Sequence, residues 1–382
     1  MEWQVVWKML FIVLVIMAAF LPLITWVERK QSAVMQDRIG ANRAHVLGIT
    51  ALGLLHPAAD VIKLLTKEDV VPAGANRWIH QLAPIIALVP AIITLAVIPY
   101  GGAYQMDGWV LNLVVADIDW GMLYVFAVGS IATYGAVMAG WESNSNWALL
   151  CSMRASAQMI SYEVTMGLSL VGLFMVFNTL RLTEIAQAQD TTLRVFGFLE
   201  HVFGLGVPAV LNWIKLPNWG LFLQPLGFIL FLTCIMAENK RPPFDAPEGE
   251  SELVAGYHME YSGMRFGLFY TAEFLEVPVI GMIVTTLFLG AWSIPYLSQA
   301  AILGGLTPAL GVTFATVLCM ALHVVSFLVK VIIMIWLQMA IRWTLPRFRY
   351  DQVMDLCWKM ILPISIANAF VTGGVILLLE RA

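Results

Sequence analysis

The sequence predicts an all-α polytopic membrane protein. Mean hydropathy is +0.81, and hydrophobic residues make up 60% of the 382 positions whereas charged residues make up 12%. Several apolar runs approach or exceed the roughly 20 residues that cross a bilayer as a helix. These runs show no alternation of polar and apolar residues, so helices are favoured over a β-barrel, the other fold that satisfies backbone groups in lipid.

Window hydropathy predicts about eight spanning helices within a single integral membrane domain, residues 1–382. A ninth apolar segment, 196–213, is short and interrupted by glycines and a proline, so we expect it to be peripheral. The first span is too long for a signal-peptide core and its positive charges follow it, which favours a retained anchor. The predicted spans are residues 8–27, 81–100, 121–140, 147–177, 221–237, 264–289, 308–341 and 358–379.

The distribution of Lys and Arg predicts the orientation in the membrane. If the loop after the first helix is cytoplasmic, most of the 21 basic residues lie on that side, as the positive-inside rule requires. Both termini then lie outside, and the main cytoplasmic segments are a first loop, 28–79, and an acidic loop, 238–263. The basic residues left for the outer side are Lys8, Arg181, Arg194, Lys215 and Arg381.

Within the first cytoplasmic loop, residues 57–68 read PAADVIKLLTKE and predict an amphipathic helix. Proline suits a first helical turn, and apolar and charged residues fall on opposite faces. A helix of this kind can lie in the membrane interface. An ordinary surface helix packed on the bundle is the alternative. On the outer side, residues 180–215 predict a loop of variable length without chemistry.

Motifs for nucleotides, iron–sulfur clusters and metals are absent from the sequence. The four cysteines are far apart in apolar surroundings, and no G-x-G-x-x-G or P-loop occurs. The net charge of -4 gives no argument for a nucleic-acid partner, because most of the mass is apolar. We therefore expect no cofactor, no metal and no redox centre in this chain.

Ionisable residues inside predicted spans cost a few kcal/mol each, so they are candidate functional groups. In the sixth span Glu273 and Glu276 are three residues apart, so both can face one cavity. Carboxylates linked by water can pass protons, whereas the alternative is that each is a neutral or paired structural group. The other such residues are Arg154 and Glu163 in the fourth span and His323 and Lys330 in the seventh.

The acidic loop concentrates charge in a protein that has little. Residues 237–263 hold six of the 25 acidic residues, and Arg-Pro-Pro at 241–243 ends the preceding helix. Glu248, Glu250 and Glu252 alternate along an extended path, so they titrate as a coupled set that can respond to a nearby redox event. A solvated acidic turn fits less well, because aromatic residues follow at once.

Four stretches of the chain together resemble one family. They are AENKRPPFDAPEGESELVAGYHMEYSGMRFG at 237–267, WVERKQSAVMQDRIGANR at 26–43, PAADVIKLLTKED at 57–69 and RASAQMISYEV at 154–164. The chain resembles the membrane-embedded quinone-site subunit of respiratory complex I, called the H subunit in bacteria and subunit 1 in mitochondria. Two positions depart from the family pattern: Ala41 stands where the family usually has proline, and His56 where it has glutamine.

The resemblance implies a quinone chamber at the junction with a peripheral arm and the start of a proton path into the membrane arm. It implies that the second to sixth helices resemble a half-channel of antiporter-like subunits. Flavin, iron–sulfur and nicotinamide chemistry would belong to partner subunits, quinone would be the substrate, and the location would be the bacterial inner membrane. The equivalent component of a membrane-bound hydrogenase is the nearest alternative, and a secondary ion transporter is an alternative from another class.

The residues and the resemblance together predict two groups of site residues. No side chain is assigned to catalysis, to a cofactor or to a metal. The predicted quinone entrance and chamber comprise Glu28, Arg29, Arg38, Asp60 and Lys63. The predicted proton relay comprises Glu163, Glu238, Glu248, Glu250, Glu252, Glu260, Glu273 and Glu276.

Overall fold

A computed structural model describes residues 2–46, 48–106, 109–194, 215–247, 249 and 256–381. Its first helical rod consists of α1 (Glu2–Val15), a π-helical turn (Ile16–Phe20) and α2 (Leu21–Met35). The later helices are α3 (His56–Thr66), α4 (Arg77–Thr94), α5 (Gly121–Glu142), α6 (Asn146–Phe177), α7 (Leu182–Ala188), α8 (Gly220–Leu223), α9 (Pro225–Glu238), α10 (Gly263–Phe288), α11 (Gln299–Leu310), α12 (Val312–Thr344), α13 (Tyr350–Asp355) and α14 (Leu362–Arg381).

Seven helices of the described chain are long and apolar enough to cross a membrane, which confirms an all-α multi-pass membrane protein. The remaining predicted span corresponds to α9, which has only 14 residues. The ninth apolar segment, 196–213, lies outside the described residues. The seven candidates are Val6–Met35, Arg77–Thr94, Gly121–Glu142, Asn146–Phe177, Gly263–Phe288, Val312–Thr344 and Tyr350–Leu379.

The first span continues well past its predicted end at residue 27. Hydropathy falls where the charged sequence ERKQ begins, but α2 continues to Met35, so Glu28 and Arg29 lie on a helix rather than in a loop. A π-helical turn precedes α2 and another, Leu356–Ile361, precedes α14. Each turn is followed closely by a proline, Pro22 or Pro363, whose ring cannot continue the regular hydrogen-bond ladder.

The core is built around α6 and α10. Helix α5 packs between α4 and α6, and α6 also contacts α9 and α14. Helix α10 packs against α4 and α12, and 83% of its most apolar 18-residue stretch is buried. The α5–α6 crossing is close because Gly140 faces Ser152: a Cβ atom on Gly140 would lie 2.3 Å from Ser152 Cβ. Small residues allow such close backbone approach in membrane bundles.

Short strands lie at the end of the bundle away from the acidic loop. Strand β1 (Ala103–Met106) pairs antiparallel with β2 (Trp109–Asn112), and β3 (Thr192–Arg194) pairs with β4 (Lys215–Pro217). The prediction of a plain loop over 180–215 is wrong at both ends, because α7 and the β3–β4 pair occupy them. Residues 195–214 are not described.

Candidate functional site

A buried ion network joins three helices at the end of the bundle that carries the acidic loop. Arg241, which follows α9, places Nε 2.9 Å from Glu273 Oε1 on α10 and Nη1 3.4 Å from Glu28 Oε2 on α2. Arg342, near the end of α12, binds the other oxygen of Glu28. The Arg241 guanidinium also lies over the Phe274 ring, 4.2 Å from its centroid. Buried charges need such partners, and removing one partner is costly.

A second ion pair anchors the start of the acidic loop. Arg347 Nη2 lies 2.5 Å from Asp245 Oδ2, and Phe348 N donates a hydrogen bond to Pro243 O. Burial raises the pKa of Asp245 to about 6, although the Arg347 guanidinium acts in the opposite direction. Asp245 therefore titrates within a range that a cell or a membrane preparation can reach.

Helix α3 confirms the predicted helix at 57–68 and leaves its apolar face uncovered. Val61, Ile62 and Leu65 are 51%, 60% and 62% exposed in the single chain. Arg29 Nη2 on α2 lies 2.5 Å from Asp60 Oδ2 on α3, which fixes the polar face of α3 against the first rod. An uncovered apolar face beside a fixed polar face is suited to lipid or to a long apolar ligand.

The segment after α3 is tied to the start of α10. Ser262 Oγ donates to Glu68 O at 3.1 Å and accepts a hydrogen bond from Val70 N at 2.8 Å. Arg265 Nε lies 3.3 Å from Asp69 Oδ2. The predicted entrance region and the helix that carries Glu273 are therefore mechanically connected.

Two predicted entrance residues do not join these contacts. Arg38 is exposed and bonds locally, with Nε 2.6 Å from Gln36 Oε1 and Nη2 3.1 Å from Ser32 Oγ. Lys63 is exposed on α3.

His56, at the position that departs from the family pattern, accepts hydrogen bonds on Nε2 from the backbone N–H groups of Arg43 and Ala44.

A small cavity of about 70 Å³ lies inside the bundle and is lined by two of the predicted relay residues, Glu238 at the end of α9 and Glu276 on α10. The rest of its described lining is largely apolar and comes from α4, α5, α6, α9 and α10. A cavity of this volume holds a few water molecules when polar groups face it. Gly129 of α5 faces this carboxylate, since a Cβ there would be 3.5 Å from Glu238 Oε1, an ordinary contact distance.

The other helix carboxylates lie beside this cavity rather than in its wall. Glu163 on α6 accepts a hydrogen bond from Ser130 Oγ on α5 and lies within electrostatic range of Glu238. The expectation that Glu273 and Glu276 face one cavity is wrong, because Glu273 turns toward Arg241 while Glu276 lines the cavity. Packing of Arg241 over α10 accounts for the difference, since it neutralises one carboxylate only.

Asn239 separates the cavity from the ion network. Its side chain lines the Glu238–Glu276 cavity and also a smaller one of about 10 Å³ bounded by Arg241, Gln338 and Arg342. Asn239 is 3% exposed, and its Oδ1 has no hydrogen-bond partner among the described residues. Buried amide oxygens are normally satisfied, so this atom is a natural position for a water bridge between the two cavities.

The acidic loop is described only in part. Glu248, Glu250 and Glu252 lie outside the described residues. Glu260 is half-buried in the turn after the 3₁₀ helix Gly256–His258. Burial holds the pKa of His258 below its ordinary value.

Sequence reasoning missed Arg342, Arg347 and Asn239 as site residues. The sequence marks Arg241 only as part of the motif that ends a helix, and Asp245 only as one of the six acidic residues of the loop. Arg342 and Arg347 are ordinary positive-inside residues in the sequence, and nothing local marks their partners. Among the described residues, no group of three or more His, Cys, Asp or Glu side chains is arranged to hold a metal ion.

Comparison with known proteins identifies the family. The family model described as NADH dehydrogenase matches residues 7–373, nearly the whole chain. The chain belongs to the NADH dehydrogenase family. The ion network and the cavity described above therefore lie in a member of this family.

Relatives within the NADH dehydrogenase family carry one consistent name, the H subunit of NADH-quinone oxidoreductase. The chain is 43% identical over 370 residues to the relative from Geobacter metallireducens, with 97% of this chain and 95% of the relative covered. It is 41% identical to the relative from Cytophaga hutchinsonii, covering 93% and 91%, and 39% identical to that from Bdellovibrio bacteriovorus, covering 96% and 94%. These names favour the quinone oxidoreductase over the hydrogenase and transporter alternatives.

Proposed function

We propose that this chain is the H subunit of a proton-translocating NADH:quinone oxidoreductase, where it forms part of the quinone chamber and couples quinone reduction to proton movement. The observation that carries the proposal is the double role of α10. One turn of this helix presents Glu273 to the Arg241 network, and the next presents Glu276 to the internal cavity. A change of charge near Glu273 therefore alters the electrostatic potential at Glu276.

The quinone entrance lies between α2 and α3. The uncovered Val61, Ile62 and Leu65 face gives an isoprenoid chain an apolar surface. The Arg29–Asp60 pair fixes α3, and Lys63 and Arg38 contribute positive charge at the mouth. The final ligands of the quinone headgroup belong to a peripheral partner subunit, which also supplies the electrons.

Charge coupling connects the chamber to the cavity. Reduction of a quinone to a quinol takes up two protons and two electrons, so the local charge changes as the reaction proceeds. A unit charge about 6 Å away at an effective dielectric near 20 contributes about 3 kcal/mol, or about two pKa units. Such a change at the Glu28–Arg241–Glu273 network is large enough to shift the protonation of Glu276.

The relay then passes through the cavity carboxylates. Glu276 and Glu238 share the cavity, and Glu163 adjoins Glu238. The acidic-loop residues Glu248, Glu250, Glu252 and Glu260 would collect or return protons on the cytoplasmic side. The bundle would serve as a half-channel, with the other subunits of the complex completing the path.

The placement in the cell follows from the same proposal. The chain would lie in the bacterial inner membrane with both termini outside and the segments 28–79 and 238–263 on the cytoplasmic side. Flavin and iron–sulfur clusters would be held by partner subunits. Purification of the tagged chain from native membranes tests this assembly, and loss of flavin and iron–sulfur absorbance from the purified complex would favour a transporter instead.

The coupling role is tested by Glu276→Gln in proteoliposomes that contain the whole complex. Glutamine keeps the shape but cannot exchange a proton, so we expect proton translocation and coupled quinone reduction to fall about tenfold or more. Glu184→Gln, at a half-exposed carboxylate paired with Arg181, is the matched control. Proton translocation at the control level in Glu276→Gln would overturn the proposal.

A further inference from the structure

The Phe288 end of α10 is buried, and its terminal carbonyl groups are satisfied by side chains from other elements. The last carbonyl groups of a helix have no partner within the helix and need one elsewhere. Gln189 Nε2, just after α7, lies 3.1 Å from both Thr286 O and Leu287 O. The carbonyl groups immediately beyond the helix converge on Lys330.

Lys330 sits in a cage of backbone oxygens. Its Nζ donates hydrogen bonds to Leu289 O at 2.7 Å, Ala291 O at 3.0 Å and Ser293 O at 2.6 Å. The same atom lies 4.9 Å from the centroid of the Trp219 ring. Lys330 belongs to α12 and is 8% exposed, so the cage joins α12 to the end of α10 in the interior of the protein.

The number and the orientation of the three carbonyl groups match the N–H donors of an ammonium ion. An ammonium group has three N–H donors, one for each carbonyl, whereas a neutral amine has only two. The partial negative charge at a helix C-terminus also favours a cation at this place. Gly290 has φ of +71° and Ala291 φ of +42°, so the backbone turns to aim these carbonyl groups at one point.

We propose that Lys330 is a positioning residue whose tethered ammonium fixes the Phe288 end of α10 against α12. This inference rests on the proposed function. In that function Glu276 must stay in the cavity, and Lys330 would hold in place the end of α10 that keeps it there. Arg342, twelve residues further along α12 and about 18 Å away, binds Glu28 in the network that holds Glu273. Helix α12 thus contacts the Phe288 end of α10 directly through Lys330 and is linked to Glu273 of α10 through Glu28 and Arg241.

The cage is open to chemical rescue. Trp219 and Ser293, which both contact Lys330, line a cavity of about 420 Å³ through which small ions can approach. Lys330→Ala would leave Leu289 O and Ala291 O without their ammonium donor and would leave Ser293 O with only the hydroxyl of Ser326, 3.3 Å away. Ethylammonium has three N–H groups and an alkyl end that replaces part of the lost side chain, whereas tetramethylammonium has the same charge and no N–H group.

The experiment compares Lys330→Ala with Lys359→Ala in the whole complex. Lys359 is an exposed lysine paired with Asp355 four residues earlier and serves as the control. We expect Lys330→Ala to lower coupled turnover about tenfold while KM for quinone changes less than about twofold. Millimolar ethylammonium should restore most of the turnover, and tetramethylammonium should not.

Amide hydrogen exchange gives a readout that does not require quinone reduction. The segment from Leu289 to Ser293 should exchange about tenfold faster in Lys330→Ala and should slow again with ethylammonium only. If the variant fails to assemble, the two ions are supplied during growth, and recovery with ethylammonium alone supports the proposal. Equal effects of both ions, or no effect of either on exchange or assembly, would overturn it. If only the proposed coupling function is wrong, the effect of Lys330→Ala on amide exchange is still expected, so the two failures can be distinguished.

Discussion

Glu273 and Glu276 are three residues apart on α10 and lie in different electrostatic surroundings. Glu273 Oε1 is 2.9 Å from Arg241 Nε, whereas Glu276 lines a cavity with Glu238. A single helical turn therefore separates a paired carboxylate from one that faces a space for water. In the proposed relay, the paired group would respond to the charge of the network and the other group would exchange protons.

Removal of Arg241 should destabilise the protein strongly. Arg241→Gln leaves Glu28 and Glu273 buried without this partner, and breaking a buried pair in this way costs roughly 3–5 kcal/mol. We expect poor assembly of the complex and a lowered midpoint of thermal inactivation. Arg349→Gln, which removes an exposed pair with Asp351, is the control and should be nearly neutral. Equal stability of the two variants would mean that the network does not stabilise the fold.

The acid side of the pH–stability profile should depend on Asp245. Its pKa is raised by burial from about 4 to about 6, so the folded protein binds a proton that the unfolded chain releases in this interval. The stability contributed by this group is therefore lost as pH rises from about 4 to about 6. Relative to Asp245→Asn, the wild type should gain up to about 2–3 kcal/mol as pH falls through this window.

Thermal inactivation of the two proteins, measured at several pH values, checks this prediction. Because Asn cannot titrate, the difference between the two midpoints should vary with pH and level off above about pH 7. A difference that stays constant across the window would show that Asp245 is ionised throughout it.

The α5–α6 crossing should not tolerate a side chain at Gly140. Its Cβ would lie 2.3 Å from Ser152 Cβ and 2.6 Å from Ala148 O, so Gly140→Ala must force the helices apart at a cost of about 1–3 kcal/mol. Gly167→Ala on α6 is the matched control, because no described atom beyond its own stretch of helix lies within 4 Å of its Cβ position. Thermal inactivation of the detergent-solubilised complex should separate the two variants, and equal midpoints would contradict the close crossing.

The Arg29–Asp60 pair should influence how quinone reaches its site. Asp60→Asn weakens the contact that holds α3 against α2, so we expect a few-fold change in KM for short-chain quinones with a smaller change in maximal rate. Asp355→Asn, which weakens an exposed i,i+4 pair with Lys359, serves for comparison and should leave KM unchanged. An Asp60→Asn enzyme with normal KM and normal inhibitor sensitivity would argue against an entrance at α3.

Hydropathy was enough to predict most of the helices, because lipid demands long apolar runs whatever the tertiary packing is. It failed at the end of the first span, where Glu28 is charged and yet remains helical because Arg241 and Arg342 neutralise it inside the protein. It also missed the β1–β2 and β3–β4 pairs, which are too short for a reliable periodic signal.

The candidate site was only partly predictable for a related reason. The i, i+3 spacing of Glu273 and Glu276 placed both on one side of a helix, but only the packing of a distant arginine separates their roles. Lys330 was recognisable as an unusual cation in an apolar span, whereas its partners are backbone oxygens that no sequence pattern marks. Contacts between distant segments are decided by the fold rather than by local composition.

The central claim, that quinone reduction changes the protonation of the cavity carboxylates, is tested most directly by reduction-induced infrared difference spectroscopy of the whole complex. We expect a carboxyl C=O band that shifts in deuterium oxide and is lost in Glu276→Gln, while Glu184→Gln retains it. A spectrum of Glu276→Gln identical to that of the wild type would contradict the claim.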